Sequence, residues 1–136
     1  MGVDRELKIL RGAIEENKVD TFPSVCIARI TMSIYYANAT RIVTEMDTVI
    51  AKHVLREGAP LKALVIDTSA VNFTDITGIE VMKDYFENLR ERGIEIYVIY
   101  LRTSLRESLE RVPDFPAFKV FRNIDDMRHA LWLAHK

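Results

Sequence analysis

From Leu61 onward the hydrophobic positions fall into two alternating patterns. Ala63-Leu64-Val65-Ile66 is a short, continuously apolar run closed by Asp67. Ile94 to Tyr100 (IEIYVIY) is a second, rich in β-branched and aromatic residues, and Phe118 to Phe121 is a weaker third. Runs of this length and uniformity predict strands buried on both faces, as in a parallel sheet. Helical spacing lies between them. Ile76, Ile79, Met82, Phe86 and Leu89 recur every three or four positions and stop at Gly93, a favourable residue just past a helix end. Ser104-Leu105-Arg106-Glu107 has the form of a capping box, Leu105, Leu109 and Val112 follow in phase, and Pro113 ends the segment. Asn123 is placed to cap a last helix, with Asp125 and Asp126 in its positive first turn and Ile124, Met127, Leu131 and Ala134 facing inward. Strand and helix alternate three times with short connections, which predicts a mainly parallel sheet with right-handed crossovers and helices packed on it.

The first half is less regular. Val25 to Thr31 reads as a strand, and Ser33-Ile34-Tyr35-Tyr36 as a short extended piece after it. An amphipathic helix is predicted from Ala39 to about Arg56, capped by Asn38 and closed by Gly58 and Pro60, with Ile42, Val43, Met46, Val49, Ile50 and Val54 as its apolar stripe. Leu7 to Leu10 is read as an edge strand and Ile14 to Phe22 as loop. No internal repeat or low-complexity segment interrupts the chain.

Composition narrows the classes. The 136 residues suit one domain, and 49% hydrophobic with 29% charged residues is a globular balance. A net charge of -1 argues against a nucleic-acid binder that works by bulk positive charge. No apolar run approaches the ~20 residues that span a bilayer. The first residues lack an apolar signal core, so the segment is expected to be cytoplasmic. The one cysteine, Cys26, excludes an internal disulfide and reads as a small core residue. His53, His129 and His135 have no partner at a familiar metal-ligand spacing and read as solvated or snorkelling helix residues. No GxSxG elbow, phosphate loop or GxGxxG occurs, so neither a catalytic set nor a metal or cofactor site is predicted. Arg106–Glu110 and Glu107–Arg111 are spaced as ion pairs on a solvated helix face.

One segment carries candidate chemistry: Asp67-Thr68-Ser69-Ala70-Val71-Asn72-Phe73-Thr74-Asp75-Ile76-Thr77-Gly78-Ile79-Glu80. It leaves a buried strand, crosses a polar loop and starts a helix, at the end of the strands where parallel α/β sheets hold their sites. Thr74 or Asp75 can cap that helix, which puts Thr77 in its first turn. Gly78 adds no side chain, so another surface can approach the backbone. A phosphate on Thr77 would meet the free N–H groups of the helix start and place about -2 charge beside Asp75.

From about Val25 to Leu133 the chain resembles a STAS domain, the module shared by sulfate transporters and anti-sigma-factor antagonists. Leu64-Val65-Ile66-Asp67 with Val71-Asn72-Phe73-Thr74-Asp75-Ile76-Thr77-Gly78-Ile79-Glu80 resembles the family signature, in which an apolar strand ends in Asp and an aromatic residue precedes Asp-Ser/Thr-Ser/Thr-Gly-Leu. Ser33-Ile34-Tyr35-Tyr36-Ala37-Asn38-Ala39 resembles a stretch typical of the SulP anion-transporter branch. The resemblance implies a single STAS-like α/β domain over 1–136, with its core at about 24–134 and an edge strand and loop in 1–23. Its sheet would be mixed and mostly parallel, with about four helices on it.

For the antagonist branch the resemblance implies phosphorylation at Thr77 by an anti-sigma kinase, with Asp75 matching the family aspartate and Ile76 departing from the usual hydroxyl residue. For the transporter branch it implies a non-catalytic cytoplasmic domain that makes regulatory and dimer contacts beside the membrane part of the same polypeptide. This chain lacks the long insertion of some animal members before the first long helix. A third expectation is weak nucleotide or anion binding at the loop through Thr68, Ser69 and Thr77.

Overall fold

The structure, a computed structural model, describes residues 12–134, without the side chains of 19–21 and 132–134. The segment Leu7 to Leu10 and His135 lie outside the described residues. The strands are β1 (Ile14–Phe22), β2 (Val25–Ile30), β3 (Ala63–Asp67), β4 (Glu95–Ile99) and β5 (Lys119–Phe121). The helices are α1 (Tyr36–Glu57), α2 (Ile76–Glu91), α3 (Thr103–Glu110) and α4 (Ile124–Ala134). The sheet order is β1-β2-β3-β4-β5; β1 runs antiparallel to β2 and all other pairings are parallel.

Sequential parallel strands joined by crossovers of one hand put their connecting helices on one face. Accordingly Ile42 and Met46 of α1, Ile79 and Phe86 of α2 and Leu105 and Leu109 of α3 share a core with Cys26, Ala28, Leu64, Ile66, Ile96 and Val98. The alternate strand positions Val25, Ile27, Ala63, Val65, Tyr97 and Ile99 meet Met127 and Leu131 of α4 on the opposite face. Both faces of the inner strands are covered, which is why they read as unbroken apolar runs. Edge-to-face contacts among Phe86, Phe115 and Phe118, with centroids 5.1 to 5.9 Å apart, fasten α2 to the segment before β5.

Four local expectations need correction. Residues Ile14–Phe22 are a strand, not a loop. Helix α1 begins at Tyr36, and Asn38 is its third residue rather than its cap: its Oδ1 accepts from Tyr35 N–H at 2.8 Å while its Nδ2 donates to Ser33 O at 2.8 Å. Helix α3 starts two residues earlier than the Ser104 box implies; Arg102 precedes it with no side-chain cap, and Ser108 Oγ bonds back to Ser104 O. The pairs Arg106–Glu110 and Glu107–Arg111 do not close; the i,i+4 ion pairs among the described residues are Arg41–Glu45, Lys83–Glu87 and Arg122–Asp126. Elsewhere the local chemistry holds. Asn123 Oδ1 accepts from Asp126 N–H at 2.8 Å, and Gly58 and Gly93 take φ of 69° and 78° at helix ends.

Candidate functional site

The loop from Asp67 to Gly78 sits at the C-terminal edge of the parallel strands. Asp67 Oδ1 accepts from Ser69 N–H at 2.8 Å, so this carboxylate shapes the first turn of the loop. Thr68 is buried, and its hydroxyl lies 3.2 Å from Ile99 O and 3.3 Å from Tyr100 O. It bolts the loop to the end of β4, where Tyr100 holds a left-handed φ of 59°. Arg102 donates to Ser69 O at 2.8 Å and to the Asn72 side chain. Thr74 Oγ1 bonds Ser108 Oγ at 3.1 Å, joining the loop to α3.

The Ser33–Ala39 stretch and the signature loop form one surface. Ile34 and Thr74 make a parallel bridge, with Ile34 N–H on Phe73 O at 3.0 Å and Asp75 N–H on Ile34 O at 3.1 Å. Phe73 N–H also donates to Ser33 Oγ at 3.1 Å. Asp75 then serves two helices at once. Its Oδ1 accepts from Gly78 N–H of α2 at 2.7 Å, and its two oxygens lie 3.1 and 3.2 Å from Tyr36 N of α1. Two positive helix ends thus converge on one carboxylate.

Gly78 is buried by this arrangement. A Cβ there would stand 2.9 Å from Ile34 O and 2.9 Å from Tyr35 C. The close approach that the glycine permits is made by the chain's own Ile34–Tyr35 backbone, not by a foreign surface. Thr77, one position earlier, is exposed, and its hydroxyl has no partner among the described residues. Around it Tyr36, Phe73 and Ile76 are 67%, 65% and 59% exposed, a concentration of apolar surface on a polar rim. The adjoining cleft, lined by Thr74, Asp75, Ile79, Ser108 and Arg111 among others, holds about 80 Å³, well short of the ~300 Å³ at which small-molecule pockets begin.

A second polar cluster lies under the far end of α1. His53 is 0% exposed, which corrects its reading as a solvated residue. It continues the buried stripe Ala39, Ile42, Met46, Ile50 at helical spacing, and that phase was the available signal. Its Nε2 lies 3.0 Å from Pro23 O, and its Nδ1 is 3.2 Å from Arg56 Nη2 and 3.5 Å from Glu16 Oε2. Arg56 Nη2 also bonds Glu16 Oε2 at 2.5 Å. Burial raises the Glu16 carboxyl, but Arg56 and then His53 outweigh it and hold the group below its ordinary 4.5. Cys26 is buried beside this cluster, and burial first, then the Glu16 charge, push its thiol up to about 12. His129 is exposed on α4.

Glu16 has a counterpart on α1, Glu45, which meets the chain just before β1. Burial also raises Glu45, yet Arg41 and the Ala13 N–H at 2.6 Å outweigh it and leave that carboxyl lowered as well. A carboxyl depressed by folding adds stability above its unfolded value and loses it as the pH falls through the folded one. Denaturant titrations are therefore expected to show stability falling as the pH drops through 4.5 and below. Glu16→Gln should be less stable at neutral pH and show a shallower acid decline. An unchanged acid slope in Glu16→Gln would count against the Arg56–Glu16–His53 linkage.

A mixed, mostly parallel five-stranded sheet with a capped loop at its carboxyl edge and helices on both faces defines an α/β domain. The STAS domain family pattern matches residues 17–127, and the chain belongs to that family. Over 84 residues it is 29% identical to "Probable sulfate transporter 4.2" of Arabidopsis thaliana, covering 57% of this chain and 12% of that protein. The chain thus spans a small part of this relative's length. Among solved structures, the murine Slc26a9 anion transporter in its inward-facing state matches with a TM-score of 0.71 at 18% identity, over 99% of this chain and 25% of that one. The unphosphorylated anti-sigma factor antagonist SpoIIAA matches with 0.59 at 9% identity, over 90% and 98%. These structural likenesses are ones of fold. Among the described residues no helix is long and apolar enough to cross a membrane.

Proposed function

We propose that this chain is the cytoplasmic regulatory and interaction domain of a SulP-type sulfate or anion transporter. In this reading it carries out no transport chemistry and docks against the membrane part of the same polypeptide. The observation that carries the reading is the fusion of the Ser33–Ala39 stretch with the signature loop through Asp75, which presents Tyr36, Phe73 and Ile76 as one exposed apolar rim. The kinship with a sulfate transporter supports the same direction.

The test begins with the surrounding coding region, which is expected to encode membrane-spanning segments ahead of Met1. In that full-length product, Phe73→Ser combined with Ile76→Ser is expected to cut sulfate uptake severalfold while the domain itself keeps its fold. A coding region without membrane segments, or uptake indifferent to both substitutions, overturns the reading.

A second reading, an antagonist switched by phosphorylation, rests on Thr77. Its exposed hydroxyl lies in the first turn of α2, two residues from the carboxylate that caps both helices. A phosphate there would compete with Asp75 for the same N–H groups and add negative charge to the rim. On this reading an anti-sigma kinase modifies the wild type but not Thr77→Ala, and Thr77→Glu binds that partner about tenfold more weakly, a loss of ~1.4 kcal/mol. Equal binding of wild type and Thr77→Glu excludes it. Nucleotide or anion sensing at the loop ranks third, because the cleft is small and Thr68 is already committed to β4.

A further inference from the structure

We propose that Glu16, Cys26 and His53 form a binding site for a borderline-soft divalent cation, with Zn2+ as the best fit. The three residues come from β1, β2 and α1, and their ligand atoms all lie within 4.8 Å of one another. The site is at the opposite end of α1 from Asp75, so it is independent of the function proposed above.

Three observations point to a ligand rather than to a chance grouping. The donor set is one thiol, one imidazole and one carboxylate, each of a type that zinc accepts. The histidine is oriented as a ligand. With Nε2–H donating to Pro23 O at 3.0 Å, the lone pair is left on Nδ1, the nitrogen that faces Glu16 at 3.5 Å. A ring N–H held by a backbone carbonyl is the usual outer support of a metal-bound histidine. The site also already hosts a positive group: Arg56 Nη2 bridges Glu16 Oε2 at 2.5 Å and His53 Nδ1 at 3.2 Å.

Arg56 is therefore the resident competitor. Its side chain is 37% exposed, and its Nε already bonds Glu57 Oε2 at 3.2 Å, so it has a second acid to remain with when it leaves the site. On binding, the Cys26 S–H bond breaks and its proton goes to solvent, while a metal–thiolate bond forms. The Arg56 contacts to Glu16 and His53 are exchanged for metal bonds to the same two atoms.

Cobalt(II) titration of the full chain, monitored by absorption, is the test. A sulfur-to-cobalt charge-transfer band is expected to saturate at one equivalent and to bleach when Zn2+ is added. Cys26→Ser is expected to abolish the band. Arg56→Ala is expected to bind about tenfold more tightly, because the guanidinium no longer competes for Glu16 and His53. Glu16→Gln keeps the shape of the site and is expected to bind about tenfold more weakly. Should Cys26→Ser not fold, as judged by circular dichroism, the Arg56→Ala and Glu16→Gln series decides. Absence of the band from both wild type and a folded Arg56→Ala overturns the proposal, as does a band that survives in a folded Cys26→Ser.

Discussion

A Gly78→Ala variant is expected to be less stable than the wild type by about 2 kcal/mol, against the helix-propensity gain of ~1 kcal/mol that alanine ordinarily brings. The sign is set by what the new methyl group meets. Ile34 O and Tyr35 C, both 2.9 Å from the Cβ position, are backbone atoms and cannot rotate aside. Relief requires the Ile34–Tyr35 segment to lift off α2, which would stretch the Ile34–Thr74 bridge and the bond from Tyr36 N to Asp75. The fall in thermal midpoint should be about 8 °C, at ~4 °C per kcal/mol for a chain of this size. Gly78→Val should cost more, because its branched side chain adds volume at the same point. A Gly78→Ala chain as stable as the wild type would show that this backbone contact yields freely.

The second large effect is expected at Asp75. A lone N-terminal cap contributes ~1 kcal/mol, and Asp75 caps two helices, so Asp75→Ala should cost about 2 kcal/mol. Asparagine keeps one acceptor oxygen in the place of Oδ1, so Asp75→Asn should retain about half of that stabilisation. Amide exchange separates the two roles. Asp75→Ala should speed exchange at both Tyr36 and Gly78, whereas loss confined to Gly78 would mean that the bond to α1 contributes nothing.

How much of this could be read beforehand depended on where each signal lies. Strands β3 and β4 are buried on both faces, so every position but the terminal Asp67 and Glu95 is apolar and the run announces itself. Strand β1 is an edge strand whose Glu16 points toward α1, and a charge at an inward position erases the alternation that would mark it. The helix start at Thr74 or Asp75 was legible because a cap and its helix are neighbours in sequence; the structure makes Asp75 the cap. The bond from Asp75 to Tyr36 was not, since nothing near either residue names the other. Gly78 was recognised as a place of close approach, but the approaching group was not. His53 was misread because its residue type was weighed above its phase, although it falls in step with Ile50 and Met46.

The carboxylate shared by two helices also bears on the order in which the chain can assemble. Tyr36 and Asp75 are 39 positions apart, so the Tyr36 N–H gains its carboxylate partner only once β3 has been laid down and the following loop has swung back, although the first turn itself closes locally through Asn38 and Ala39 N–H on Tyr35 O. Closing a loop of that length costs entropy before any contact repays it, which places the step late on the folding route. The mouth of α1 is thus a latch rather than a nucleus. A disturbance beside residue 77 is felt first at a helix whose own sequence ended twenty residues upstream.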